Sequence, residues 1–478
     1  MQIIDANQLR KNSIFSFLSI SSRLIANVVM FWILARYYGP EIFGQFTFAQ
    51  TLATIFILFA DFGLDILLTN ELAKNKNNAK EIFQILFSFK LIFSVLSLIS
   101  MWVIILLNQL SFQSKVLIVV FSFYMLLTTL SNFYYALFKG FEKLEYETKI
   151  SFFTNLLLLI LTLPFIYFKT NIIIIAMIFV FTRFLSLVFG IKYSKQFIQN
   201  ISLNFFTHKT WNFRGKIMIY GLHLTFSYLF FQLDTILIAI LKGDQDVGNY
   251  QAVIKLVLLP LVIPEILSNA IFPTLARINF ENVHYWEKLG ELMNRILFIL
   301  GFPFALSFFL FPEQIIHLLY GSNYLEAIPV LRIFGVIIFI RFNLETAALM
   351  LTTSEKQKTR LLTVFFATFI NLILNIIFIP KFGIVGAALI SLLTNTFVGI
   401  VYLYKIREVF LKWMFNKTAA ITILFSGLVG FMFSLVSSLS IFLLVPSLFI
   451  IFLLFTYFYS FSIEEKKMLF FSNFKFNR

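Results

Sequence analysis

Apolar residues fall along this chain in fourteen long blocks separated by short polar stretches. A hydrocarbon core of roughly 30 Å needs about 20 consecutive apolar helical residues, and every backbone polar group must be satisfied within the span. The blocks that meet this run over 12–36, 43–68, 82–107, 115–138, 148–168, 171–191, 217–241, 248–275, 289–310, 328–351, 360–380, 383–404, 418–437 and 440–462. The pattern predicts an all-α, polytopic transmembrane bundle of about fourteen helices. The longest stretch without a spanning segment, Lys192 to Lys216, is too short for an extramembrane domain. Composition agrees: 60% of residues are hydrophobic, 13% are charged and the mean hydropathy is +0.90. A soluble domain carries roughly a quarter charged residues.

The net charge of +15 first suggests nucleic acid, but the basic residues are spread rather than patched. With the N-terminus in the cytoplasm, only Arg36, Lys115, Lys169, Lys242 and Lys381 of the 38 Lys and Arg fall in outward loops. Six more lie inside spans, and the remaining 27 are cytoplasmic. The positive-inside rule then places both termini in the cytoplasm and requires an even number of spans. The first span, flanked by Arg10 and Lys11, is too long for a signal h-region and lacks an Ala-x-Ala site, so it reads as a retained helix. The expected location is a bacterial cytoplasmic membrane, with no nucleic-acid partner.

Catalysis finds little support. The chain has no cysteine, which excludes thiolate nucleophiles and Cys-ligated metals. His208, His223, His284 and His317 show no ligand spacing, so neither a metal nor a cofactor is expected. There is no G-x4-G-K-[ST] loop, and energy must come from a gradient or from the substrate. A membrane-embedded polymerase or glycosyltransferase would want a large outward loop with catalytic acids or arginines. The longest one here, Phe311 to Ala327, offers only Glu313, His317 and Glu326.

An internal repeat organises the spans. Gly39-Pro-Glu-Ile-Phe-Gly44-Gln-Phe46 follows span one and Gly243-Asp-Gln-Asp-Val-Gly248-Asn-Tyr250 follows span seven, an offset of 204 residues. Lys169 and Lys381 repeat at 212. The chain therefore reads as an N-lobe over 1–191, an inter-lobe loop over 192–216, a C-lobe over 217–404, and two appended spans with a tail over 405–478. Paired helical halves suit a transporter that rocks one half against the other. Residues 418–463 carry no Asp, Glu, Lys or Arg, so the appended spans read as peripheral and lipid-facing.

A charge at the bilayer centre costs about 2.5–3.5 kcal/mol, so such residues usually face a polar cavity or a partner. Arg23, Arg183 and Arg341 lie near mid-span and are the first candidates for substrate contact. Lys90, Lys255 and Arg332 lie within two turns of a span end, where a long side chain can instead snorkel. Asp61 and Asp65, four apart on one helical face, can share a proton and are candidates for ion coupling; Asp234, Glu265 and Glu345 are alternatives. Arg341 and Glu345, also four apart, are placed for a structural ion pair. Pro260, Pro264 and Pro273 allow bends in span eight.

Ala35-Arg-Tyr-Tyr-Gly-Pro-Glu-Ile-Phe-Gly-Gln-Phe46 and Asp234-Thr-Ile-Leu-Ile-Ala-Ile-Leu-Lys-Gly-Asp-Gln-Asp-Val-Gly-Asn-Tyr250 resemble signature stretches of bacterial polysaccharide flippases of the O-antigen (Wzx) type. The segments His317 to Arg332 and Gly383 to Ser391 resemble the family's patterns around spans ten and twelve. The resemblance implies membership in the multidrug, oligosaccharidyl-lipid and polysaccharide exporter superfamily, with a MATE-like fold of twelve core helices and two appended ones. It also implies a substrate, an undecaprenyl-diphosphate-linked oligosaccharide moved from the inner to the outer leaflet through a cationic cavity. Arginine suits that chemistry, offering planar, permanently charged donors to phosphate oxygens. Expected partners are this lipid-linked glycan, membrane lipids, a coupling proton or sodium ion, and a polysaccharide polymerase with its assembly proteins. An ion-coupled multidrug antiporter of the same superfamily is the alternative.

Overall fold

The computed structural model describes residues 6–107, 110–198, 221, 232–281, 283–354, 356–407, 417–435 and 440–459, with the side chains of the first helix described from Ala26. Among the described residues every regular element is helical. The α-helices, in chain order, are α1 (Ala6–Asp61), α2 (Leu64–Lys74), α3 (Ala79–Leu107), α4 (Phe112–Gly140), α5 (Leu144–Tyr167), α6 (Ile172–Ser194), α7 (Gln232–Leu241), α8 (Asp244–Glu281), α9 (Val283–Leu310), α10 (Pro312–Leu319), α11 (Ala327–Thr353), α12 (Gln357–Lys405), α13 (Lys417–Leu435) and α14 (Ile441–Tyr459). Among the described residues nine helices are long and apolar enough to cross a membrane, and shorter apolar helices occur at Gln232–Leu241, Leu424–Phe433 and Ile441–Leu454. Of span seven only Gly221 and residues 232–241 lie within the described residues.

Two of the long helices each hold two predicted spans. In α1, Gly39 takes φ 77°, ψ 174°, outside helical space, and Pro40 follows it. That conformation is open to glycine and strained for any other residue. Proline then supplies the fixed φ suited to a first helical position. In α12 the break falls at Gly383, with φ 58°, ψ −143°, three residues after Pro380. The Tyr38 hydroxyl donates to the Thr170 carbonyl at 2.6 Å, tying the α1 break to the turn between α5 and α6.

Span two departs from its predicted course. The apolar pattern predicts a continuous helix over 43–68, but the chain breaks at Phe62 (φ 41°) and Gly63 (φ 80°), and α2 starts afresh at Leu64. The Asp61 carboxylate explains why: it accepts the Gly63 N–H at 3.3 Å and the Asp65 N–H at 3.1 Å, satisfying donors that a new helix start would leave open. Asp61 and Asp65 therefore do not share one helix face.

The chain forms two compact units, Met1–Lys255 and Leu256–Arg478. In the first, Phe46 packs edge-on against Phe121 (centroids 5.0 Å apart) and Phe179 (5.4 Å), so the second half of α1 is held on α4 and α6. In the second unit Phe452 of α14, fully buried, stacks on Phe302 of α9 at 5.0 Å. The outward faces of these helices carry exposed Leu and Phe side chains, among them Phe112, Leu424 and Phe442, as a lipid-facing surface requires.

Candidate transport site

The two repeated glycine motifs meet inside the first unit. Gly39 and Gly243 both take positive φ, at 77° and 102°, and each immediately precedes a helical start. A Cβ on Gly44 would overlap the Asp244 carbonyl oxygen and sit 2.8 Å from the Gly248 nitrogen. A Cβ on Gly248 would overlap the Pro40 carbonyl oxygen and sit 2.9 Å from its Cα. The contact is reciprocal, because Pro40 and Asp244, like Gly44 and Gly248, are related by the 204-residue offset. Hydroxyls and amides close around it. Ser114 donates to Asp244 Oδ2 at 3.1 Å, and Gln251 Nε2 donates to Thr235 Oγ1 at 2.7 Å and reaches Thr51 Oγ1 at 3.4 Å.

Two charges of α7 and α8 lie nearby in sequence in the same unit, Asp234 buried and Lys255 half-buried. The Tyr250 hydroxyl donates to Asp234 Oδ2 at 2.7 Å. Lys255 Nζ donates to Gln50 Oε1 at 3.3 Å and lies 4.1 Å from the Phe31 ring centroid, a cation–π contact. A hydrogen bond to a charged group contributes about 1.5–3 kcal/mol. Tyr250→Phe is therefore expected to lower the stability of the purified protein by about 2 kcal/mol, read as a fall in the thermal unfolding midpoint in detergent.

Asp61, Asp65 and Lys90 converge despite the break in span two. Lys90 of α3 is wholly buried, with Nζ 2.6 Å from Asp61 Oδ1 and 2.8 Å from Asp65 Oδ1. It does not snorkel. Next to Asp65 opens a cavity of about 340 Å³, lined also by Thr69, Asn132, Tyr135, Lys139 and Glu147. Lys139 and Glu147 pair across it at 3.3 Å.

Beyond Tyr135 lies Arg183. The Tyr135 hydroxyl hydrogen-bonds Ser186 Oγ at 2.7 Å, one turn of α6 from Arg183. The Arg183 guanidinium carbon lies 5.6 Å from the Tyr124 ring centroid, while its buried Nε has no hydrogen-bond partner. The guanidinium also hydrogen-bonds Tyr124, so Nε is the donor left for an anion to complete. The side chain of Arg23 is outside the described residues.

The remaining candidates belong to the second unit. Arg341 Nε donates to Asn395 Oδ1 at 3.0 Å, and Glu345 Oε1 accepts from Ser268 at 2.7 Å. Arg332 and Glu265 are exposed. No cluster of three or more His, Cys, Asp or Glu suited to a metal occurs among the described residues. Charge and depth pick out none of the neutral partners. Yet Thr128, Asn132 and Tyr135 recur at i, i+4 and i+7 in span four, a polar stripe on one helical face that periodicity alone could have flagged.

A model of a family described as polysaccharide biosynthesis protein matches residues 9–279, more than half of the chain. The chain belongs to that family. A second model, MatE, matches residues 221–377. A relative in Escherichia coli (strain K12), named "Putative O-antigen transporter", is 26% identical over 421 residues, covering 84% of this chain and 97% of the relative. Among solved structures, the lipid II flippase MurJ in an inward closed conformation superposes with a TM-score of 0.73 at 16% identity, covering 94% of this chain and 99% of that one. An inward-facing multidrug resistance MATE transporter gives 0.68 at 16% identity, covering 82% and 98%. This polysaccharide-biosynthesis family member thus has the MurJ- and MATE-like helical fold, with nine described helices long and apolar enough to cross a membrane.

Proposed function

We propose that the protein is a flippase that moves an undecaprenyl-diphosphate-linked oligosaccharide from the inner to the outer leaflet of a bacterial cytoplasmic membrane by alternating access. The observation that carries this reading is Arg183, a half-buried mid-span guanidinium over the Tyr124 ring with a buried Nε that lacks an acceptor among the described residues. Such a group calls for an anion, and a diphosphate offers oxygens matched to its planar donors. Family membership and the near full-length O-antigen transporter relative support a lipid-linked glycan as the carrier of that anion. Lys255 is a further candidate cation of the first unit for phosphate or sugar, and Arg341 and Arg332 are candidates of the second unit considered by itself. In this reading both termini are cytoplasmic, and a glycan polymerase acts on the delivered product.

Arg183→Ala and Arg23→Ala are each expected to abolish complementation of a flippase-deficient strain while membrane insertion stays intact. Normal surface glycan in both variants would remove these arginines from the mechanism. The match to the MatE model and the MATE superposition favour one rival, an ion-coupled multidrug antiporter. That rival predicts raised resistance to cationic drugs on expression, with no rescue of glycan export.

A further inference from the structure

The cavity in the first unit sits beside a group of charges that does not balance. Lys90 Nζ lies between the Asp61 and Asp65 carboxylates, so an ammonium already fills the position a metal cation would take. Two carboxylates face one ammonium. The neighbours do not supply the missing charge, because Lys139 of α4 and Glu147 of α5, which line the same cavity, cancel each other. Tyr135, the other titratable group of the wall, is neutral and hydrogen-bonded to Ser186.

Exposure and hydrogen bonding separate the two aspartates. Asp61 has a side chain 11% exposed and accepts from Lys90 and from the backbone N–H groups of Gly63 and Asp65. Three donors occupy its oxygens. Asp65 is 22% exposed, lines the cavity, accepts from Lys90 through Oδ1 and lies within hydrogen-bond reach of the Asp61 carboxylate. Of the two carboxylates, that of Asp65 is the one open to the cavity.

We infer that Asp65 is a one-proton exchange site, taking a proton from water in the cavity onto its carboxylate and returning it by the same route. In the ionised form Lys90 bridges α2 to both α1 and α3. In the protonated form Asp65 is neutral, Lys90 keeps only Asp61 as a charged partner, and the tie between α2 and α3 weakens. Resting on the flippase reading, this would make the proton the ion that energises transport, with α2 as the element it switches.

Infrared titration of the full-length protein in lipid nanodiscs tests the site. One protonated-carboxyl band is expected to titrate in the wild type separately from those of the exposed carboxylates, to vanish in Asp65→Asn, to persist in Glu147→Gln and to remain, displaced, in Asp65→Glu. Lys90→Gln should raise the proton affinity at least about tenfold, because it removes the cation that bridges the pair. Survival of that separate band in Asp65→Asn, or its loss in Glu147→Gln, would overturn the assignment. Export in a flippase-deficient strain tests the coupling separately. Loss of glycan export in correctly inserted Asp65→Asn is expected, and normal export would exclude Asp65 as the energising site. If the wild type itself fails to complement while the band titrates as described, the flippase reading falls and the proton site stands.

Discussion

Gly44→Val is expected to be among the most damaging single changes in the first unit. The new Cβ would meet the Asp244 carbonyl, and a backbone atom at a helix start cannot step aside as the tip of a side chain can. Overpacking a well-filled position costs about 1–3 kcal/mol, and this site belongs at the upper end. Gly248→Val should cost as much for the same reason, since it meets the Pro40 carbonyl. Gly39→Ala is the informative contrast. A methyl group there would find no atom within 4 Å, so its cost comes only from the backbone conformation, about 1–3 kcal/mol. Thermal unfolding of the purified variants in detergent measures all three. Gly44→Val at the wild-type midpoint would mean that the close approach of the two motifs contributes nothing to stability.

Lys90→Met is expected to produce the second large effect. It leaves Asp61 and Asp65 close together without their shared counter-ion, and removing one partner of a buried charge group costs about 3–5 kcal/mol. Partial exposure of the two aspartates puts the loss near the lower figure. The triple change Lys90→Met, Asp61→Asn, Asp65→Asn should recover most of it, because no uncompensated charge then remains. Equal unfolding midpoints for the single and triple variants would show that the damage comes from lost packing around the lysine stem and not from stranded charge.

Much of the architecture is legible in the sequence, because the bilayer sets one simple length rule and long apolar helices obey it. Spans one and two, and eleven and twelve, are separable through Gly39 and Gly383, where only glycine tolerates the break. The interruption at Phe62–Gly63 is not legible, because hydropathy continues unbroken across it and the cause is a single carboxylate bonded to local N–H groups. The same limit applies to the charges. Depth identifies Asp61, Asp65 and Lys90 as ionisable groups in unusual places, but not their meeting, which depends on how α3 packs beside α1 and α2. Arg183 is legible as a deep cation, whereas Tyr124 beneath it resembles any other aromatic residue of an apolar span.

The reciprocal glycine contact carries a statement about descent. An isologous interface between two copies of one chain makes every contact twice, so residue i meets j and j meets i. Gly44 against Asp244 and Gly248 against Pro40 have that form within a single polypeptide. A half-length ancestor pairing with its own copy would have needed only one such glycine, and a change there would have struck both contacts together. Once the halves are fused, each glycine answers for one contact, and the two motifs are free to diverge at every position except those where only hydrogen fits.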